Sequence, residues 1–96
     1  MQDVNFEWDD DKAAQNWRDH GVNFEMAREA FKDAFAVEWV DTAQDPHQQR
    51  YAMIAMVENR LLFVAYALQG ERSRIVSARK AEPYERRKYH DANREA

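Results

Sequence analysis

Four runs of strand-forming residues follow one another over residues 36–78, and they constrain the fold more than any other feature. They read AVEWV, YAMIAMV, LLFVAYAL and RIVSA. Glu58-Asn59 and Gln69-Gly70 separate the last three runs, and Asn59 and Gly70 can adopt the positive φ angle of a short hairpin turn. Residues 42–49 form a longer polar link with a proline. The pattern predicts an antiparallel meander of four strands.

Helix signals precede these strands. A short strand is expected at residues 5–8, and the acidic residues 9–11 supply an N-cap and first-turn negative charge for a helix. That helix should end near His20, because Gly21 suits the left-handed position after a helix. Asn23 can cap a second helix. Its apolar face is predicted to carry Phe24, Ala27, Phe31 and Ala34.

A further helix signal follows the strands. Pro83 lacks an N–H group and suits the first turn of a helix over residues 83–92, with Glu82 and Glu85 near its positive end. We therefore expect an α+β fold in which two N-terminal helices and a C-terminal helix pack on an antiparallel sheet.

The length of 96 residues allows one hydrophobic core, so residues 1–96 are predicted to form a single domain. Apolar residues make up 45% of the chain, which is enough to order such a core. The side chains expected to be largely buried are Phe31, Val37, Ile54, Phe63 and Val64. The three tryptophans, Trp8, Trp17 and Trp39, are expected in the core rather than on a base-stacking surface.

Charge is distributed unevenly along the chain. Residues 1–47 hold twelve acidic and four basic residues, whereas residues 48–96 hold six acidic and ten basic residues. Residues 72–90 alone carry seven Lys or Arg against two Glu. Such an asymmetry can turn one side of a small protein towards an anionic ligand, although the overall charge is −4.

Several classes of site do not fit this composition. The chain has no cysteine, and its two glycines cannot form a Walker loop or a dinucleotide fingerprint. Its three histidines are too dispersed for a metal motif on one helix. We therefore expect no cofactor and no metal. The apolar runs are shorter than the ~20 residues of a membrane helix, so we expect no membrane association and a cytoplasmic location.

Arginine, lysine and tyrosine remain in quantity, and they suit one reaction that needs neither metal nor cofactor. In RNA cleavage by the neighbouring 2′-hydroxyl, the substrate supplies the nucleophile. The protein has to hold the phosphate, stabilise the charge of the phosphorane and help protons move. An arginine fork matches two phosphate oxygens at once, so the arginine-rich stretch at residues 72–90 is a candidate phosphate-binding surface.

Particular strings carry a family resemblance along most of the chain. They are FEWDDDKAAQNWRDHGVNFEMAREAF at residues 6–31, the RY pair at Arg50-Tyr51, RIVSARKA at residues 74–81 and ERRKY at residues 85–89. In this order they resemble the BrnT family of toxins from type II toxin-antitoxin modules. The resemblance implies a RelE-like fold, metal-independent cleavage of RNA and neutralisation by a BrnA-like antitoxin. DNA would be reached only through that antitoxin.

The candidate site combines this resemblance with the basic residues. The candidate catalytic residues are Arg50, Arg74, Ser77, Arg79 and Tyr89. The candidate RNA-binding residues are Lys12, Lys80, Arg86, Arg87 and Lys88. A different class of function is an inactive toxin relative that only binds a DNA-binding antitoxin.

Structural roles compete with several of these assignments. Arg74 and Arg79 could be charges that protect a sheet edge, Ser77 a small filler, and Tyr89 a packing residue of the last helix. In a regular strand Arg74 and Arg79 face opposite sides, so both reach one cleft only if a bulge or strand end intervenes. Tyr66 should share a side with Ser77 and Arg79 after a two-residue turn, or with Arg74 after a three-residue loop.

Overall fold

The computed structural model describes residues 1–41 and 49–94, and these form an α+β fold with three α-helices and five strands. Residues 42–48 of the predicted polar loop lie outside the described part. The elements in chain order are β1 (Phe6–Glu7), α1 (Asp10–His20), α2 (Phe24–Glu29), a 3₁₀ turn (Ala30–Lys32), β2 (Val37–Asp41), β3 (Arg50–Val57), β4 (Arg60–Gln69), β5 (Arg72–Lys80) and α3 (Pro83–Ala92).

The sheet has the strand order β1-β5-β4-β3-β2. Strands β2 to β5 form the predicted antiparallel meander. The expectation of a wholly antiparallel sheet is wrong, because β1 pairs with β5 in parallel, with Phe6 opposite Ser73 and Glu7 opposite Arg74. The meander leaves one edge of β5 open, and the N-terminal segment occupies the start of that edge. Its backbone is bonded there, since the Ser73 amide donates to the Asn5 carbonyl at 2.9 Å.

The helix ends follow the local signals. The Asp9 carboxylate accepts from two first-turn amides, Gly21 has a φ angle of 66°, and the Asn23 side chain accepts from the Met26 amide. The second helix is shorter than predicted, because it tightens into the 3₁₀ turn after Glu29. Ala34 was expected on its apolar face, yet it lies beyond that turn and is exposed.

Two apolar clusters occupy the two faces of the sheet. The larger one joins α2 to one face through residues such as Phe24, Met53 and Val64. The smaller one joins α3 to the other face through Tyr89, Ile54 and Leu61. Each helix therefore packs on the face that its own apolar side chains can cover.

The burial predictions have mixed outcomes. Ile54 and Val64 are fully buried, whereas Phe31, Val37 and Phe63 are partly buried at the margins of the two clusters. Trp8 belongs to the core and Trp39 packs against the smaller cluster. The prediction for Trp17 is wrong, since this residue is 55% exposed on the outer side of α1.

A β-bulge in β5 decides which side chains share a face. Ala65 pairs with Ser77 but Tyr66 pairs with Ile75, so Val76 is an extra residue in β5. Beyond the bulge the alternation of β5 is reversed. Arg74 and Arg79 therefore lie on the same face of the sheet, the one that carries α3, and Ser77 pairs in the row between them.

Neither predicted placement of Tyr66 is correct. The turn spans two residues, because Gln69 pairs with Arg72, and this register puts Tyr66 on the face of Ile75 and of the larger cluster. The bulge then turns Ser77 and Arg79 to the opposite face. The Tyr66 hydroxyl donates to the carboxylate of Glu38. Burial and this bond raise the pKa of Tyr66.

Candidate functional site

Three rows of side chains run across the strands on the face that carries α3. They follow from the strand register and the alternation of side chains. The first row is Asp41, Arg50, Ala67, Arg74 and Glu7; the second is Trp39, Ala52, Ala65 and Ser77; the third is Val37, Ile54, Phe63 and Arg79. The middle row consists of small residues beside Trp39, and long side chains flank it. We call this surface the sheet groove.

Arg74 and Glu7 close the β5 side of the first row. Arg74 Nη1 donates to Glu7 Oε2 at 2.7 Å, and both side chains are partly exposed. Arg50 lies two strands away in the same row, about 10 Å distant by the usual spacing of strands. Two arginines from different strands thus flank one stretch of the groove.

Arg79 is held in place from two sides. Its Nη1 and Nη2 atoms donate to the two carboxylate oxygens of Glu85 at 2.8 and 3.0 Å, and its guanidinium lies 4.3 Å from the ring centre of Phe63. The Glu85 side chain is only 3% exposed. Burial raises the pKa of Glu85, but the bonds from Arg79 and from the Glu82 amide outweigh it and leave that pKa below its usual value.

One flank of α3 borders the groove. Residues Tyr84 and Lys88 are one turn apart, and Lys88 Nζ lies 3.9 Å from the ring centre of Trp39. Tyr84 is largely exposed, and its hydroxyl is 3.4 Å from Glu85 Oε2. Lys88 therefore adds a cation to the end of the middle row.

Tyr89 is not brought to the groove. Its ring is buried in the smaller cluster with Ile54, and its hydroxyl donates to Asp33 Oδ2 at 2.9 Å. Burial and this bond raise the pKa of Tyr89 to about 12. In this structure the tyrosine links α3 to the segment before β2.

Four of the candidate RNA-binding residues also lie elsewhere. Lys12 is on α1, where it lines an open pocket of about 250 Å³ with His20 at the edge of β5; Ser77 reaches that pocket as well. Lys80 and Arg86 line a different pocket, and Arg87 is exposed on the outer side of α3. Of the ten candidates, the rows and α3 bring together Arg50, Arg74, Ser77, Arg79 and Lys88.

Two carboxylates of this surface were not predicted as site residues. Glu7 is separated from Arg74 by 67 positions, and only the parallel pairing of β1 with β5 brings them together. Glu85 was recognised as a helix-start residue, which is correct since it accepts from the Glu82 amide. Its position six residues after Arg79 is the signal that could have suggested the ion pair.

Asn16 is a third residue that shapes this surface and whose role was not predicted from the sequence. Its buried amide group bonds to Ala78 in both directions, donating to the carbonyl at 2.7 Å and accepting from the amide at 3.1 Å. It also donates to the Val22 carbonyl. The side chain thus pairs with the free edge of β5 just after the bulge and holds α1 against it.

A comparison with protein-family models identifies the relationship. The model described as "Ribonuclease toxin, BrnT, of type II toxin-antitoxin system" matches residues 8–85. The chain belongs to the BrnT family. The matched range includes Arg74, Arg79 and Glu85, whereas Lys88 and Tyr89 lie beyond it. A search of curated proteins found no match.

Membership of the BrnT family gives the activity class, since the family is one of ribonuclease toxins whose systems pair a toxin with an antitoxin. In the described part of the chain, no helix is long and apolar enough to span a membrane. Over the same residues, His, Asp and Glu side chains form no group of three or more suited to a metal ion.

Proposed function

We propose that this chain cleaves RNA through its 2′-hydroxyl, without a metal ion, and that the sheet groove is where it does so. The proposal includes a RelE-like arrangement of the fold and neutralisation by a BrnA-like antitoxin in the cytoplasm. One observation carries it, the β-bulge at Val76 that turns Arg74 and Arg79 to one face, with Ser77 between them. The family relationship supports the ribonuclease class.

Arg74 is the proposed contact to the scissile phosphate. Its bond to Glu7 uses Nη1, and its side chain is about one third exposed. The rest of the guanidinium fork can donate to two non-bridging phosphate oxygens, which gain negative charge in the phosphorane. Arg50, two strands away in the same row, approaches the same phosphate from the opposite side, and the Ser77 hydroxyl adds a neutral donor from the next row.

Arg79 contributes a fixed positive charge rather than a mobile one. Glu85 and the ring of Phe63 hold its guanidinium in a single position, so little reorganisation is needed when negative charge develops nearby. The carboxylate of Glu85 offsets part of the positive charge of Arg79, which weakens its attraction for a phosphate. We therefore assign the direct phosphate bonds to Arg74 and Arg50, and the positioning of the RNA strand to Arg79 and Lys88.

Glu7 is the proposed general base. It accepts from Arg74 through Oε2 alone, whereas both oxygens of Glu85 are engaged and its side chain is buried. Glu7 takes the proton of the 2′-hydroxyl as that oxygen bonds to phosphorus. The bond from phosphorus to the 5′-oxygen breaks, and the leaving oxygen takes a proton from water. The products are a 2′,3′-cyclic phosphate and a 5′-hydroxyl.

The substitution Arg74→Gln tests the proposal. Loss of one donor to a transition-state oxyanion costs about 2.7 to 4 kcal/mol, so cleavage of a mixed-sequence RNA should fall by about 10² to 10³. Arg18→Gln removes the same charge from an exposed position on α1 and should retain the parent rate. Equal rates for Arg74→Gln and the parent would overturn the assignment.

A second candidate function is supported by a specific observation. Arg74 and Arg79 are already paired with carboxylates of their own chain. An inactive relative that only binds its antitoxin needs no arginine free to hold a phosphate, so these ion pairs would not impair its function. Co-purification with the antitoxin, together with an absence of cleavage by the free chain, would favour this candidate.

A further inference from the structure

A second cationic surface lies on the other flank of α3, away from the sheet groove. It is an open pocket of about 460 Å³ between the β3–β4 turn, the end of β5 and α3. Its charged or titratable lining residues are Arg60, Lys80, Arg86 and His90. We propose that this surface, the turn pocket, binds a phosphate group of the RNA strand at a position other than the scissile one.

The charges of the turn pocket are not neutralised by carboxylates in its lining. Among the described residues that line it, none is Asp or Glu. None of the ion pairs within residues 1–41 and 49–94 involves Arg60, Lys80 or Arg86, whereas Arg74 and Arg79 in the groove are both ion-paired. A concave surface with three unneutralised cations attracts an anion.

The geometry of the pocket suits a phosphate. Arg86 Nη1 donates to the Ala81 carbonyl at 2.9 Å, which orients the guanidinium and leaves its other donors for a ligand. Asn59, at the turn where two residues have positive φ angles, contributes a side-chain amide. The four basic residues come from three elements, β4, β5 and α3, and Arg60 Nη2 donates to the sulfur of Met26 on α2 at 3.5 Å.

The helix α3 separates the two cationic surfaces. Glu85 and Tyr89 face the sheet; Arg86 and His90 lie on one flank, and Tyr84 and Lys88 on the other, each pair one turn apart. Because an α-helix is about 10 to 12 Å across with its side chains, one RNA strand can reach both flanks. As an RNA subsite, the turn pocket rests on the proposed function.

An acidic protein segment would be a different occupant. Protein interfaces have an apolar centre in which lysine is depleted although arginine is enriched, whereas the lining of the turn pocket has four basic residues beside Met56 and Leu61. Arginine forks match the oxygens of a phosphate in pairs. RNA is therefore the occupant that these residues favour.

The test uses an RNA in which every 2′-hydroxyl is methylated, so that binding is measured without cleavage. Arg60→Gln/Lys80→Gln should weaken binding about tenfold or more at low salt, because two charge-assisted contacts are lost. The slope of log affinity against log salt concentration should shrink by about 0.7 for each phosphate no longer neutralised. The control, Arg18→Gln/Arg94→Gln, removes the same charge elsewhere and should change affinity less than about twofold. Parent-like binding by the pocket variant overturns the inference.

Two comparisons separate this inference from the proposed function. On cleavable RNA, the pocket variant should raise KM and leave kcat unchanged, whereas Arg74→Gln lowers kcat. If the parent chain cleaves no RNA but the pocket variant still loses affinity for methylated RNA, the proposed function fails and the phosphate site stands. The single variant Lys80→Gln, at an exposed position, gives the same comparison should the double variant unfold.

The ligand class has its own control. Inorganic phosphate should shift the amide NMR signals of Asn59, Leu61 and His90. It should also compete with RNA for binding to the turn pocket. A polyglutamate peptide should compete less well than RNA at equal total charge. Equal competition by the peptide would assign the turn pocket to an acidic protein and overturn the proposal.

Discussion

Arg79 has both a structural and a proposed functional role, and its substitution should separate them. Glu85 is almost fully buried, so removal of Arg79 leaves a carboxylate without its main partner. Breaking a buried pair costs about 3 to 5 kcal/mol, and we expect about 2 kcal/mol here because Arg79 is partly exposed. The residue therefore affects the free energy of unfolding as well as the rate of cleavage.

We predict that Arg79→Ala lowers both quantities, with cleavage falling by about 10² because the RNA strand loses a positioning contact. The double variant Arg79→Ala/Glu85→Gln should recover most of the stability, because a glutamine oxygen can still accept from the Glu82 amide. It should not recover cleavage. Urea unfolding and an RNA cleavage assay measure the two effects; recovery of both would assign Arg79 a purely structural role.

Glu7→Gln tests the proposed base. The glutamine oxygen can still accept from Arg74, so RNA binding should stay close to that of the parent. Cleavage at neutral pH should fall by about 10² to 10⁴. Glu71→Gln, an exposed carboxylate at the β4–β5 turn, serves as the control. A cleavage rate close to that of the parent would rule out Glu7 as the base.

Among the elements, α3 is linked to the segment before β2 through the carboxylate of Asp33. Asp33 accepts from the Phe35 amide at 2.9 Å, the Met56 amide at 2.8 Å and the Tyr89 hydroxyl at 2.9 Å. Burial raises the pKa of Asp33, but these three bonds outweigh it and lower that pKa below its usual value. The lowered pKa means that the ionised form stabilises the fold.

The sign of the pH dependence follows from this direction. A carboxylate with a lowered folded pKa contributes stability that is present above its unfolded pKa and lost as the pH falls through the folded value. We predict that Asp33→Asn is less stable than the parent by about 1 to 3 kcal/mol at neutral pH, since one donor then faces an amide nitrogen. The difference should shrink in acid, below the ordinary range of Asp. Urea unfolding at both pH values measures it, and a constant difference would contradict the role of the charge.

Local signals predict most elements of this fold, but they do not predict the bulge in β5 or the contact of α1 with that strand. The start signals at Asp9, Asn23 and Pro83 act within one turn, so the helix starts could be predicted. The bulge at Val76 could not, because valine suits a regular strand as well as a bulge. The extra residue is accommodated through long-range contacts, above all those of Asn16 with Ala78.

The candidate site was predictable to a similar degree. The sequence indicated Arg74 and Arg79 as candidates and predicted that a bulge or a strand end was needed to bring them to one cleft. Their partners were not predicted, since the Glu7 contact depends on a parallel pairing between distant segments. Tyr89 lies in an apolar cluster because its ring is on the face of α3 that packs against the sheet. The basic residues next to it along the chain did not indicate that face.

For the whole molecule, the uneven charge along the chain is reflected most in where the basic residues lie. The helices α1 and α2 hold five of the twelve acidic residues of the first half beside three basic residues, whereas Glu7 and Asp41 lie in the sheet groove. The sheet groove and the turn pocket, with most of the basic residues of the second half, lie on or beside the face with α3. A chain with a net charge of −4 can therefore still present a cationic surface to RNA.

Cleavage of RNA by the purified chain in the presence of EDTA tests the central claim most directly. The substrate is a mixed-sequence RNA, compared with the same RNA carrying a single 2′-deoxy substitution at the mapped cleavage site. We predict cleavage with EDTA present, a 2′,3′-cyclic phosphate at the new end, and no cut at the deoxy position. Cleavage that stops with EDTA and returns with magnesium, or that persists at the deoxy position, would contradict the proposed mechanism.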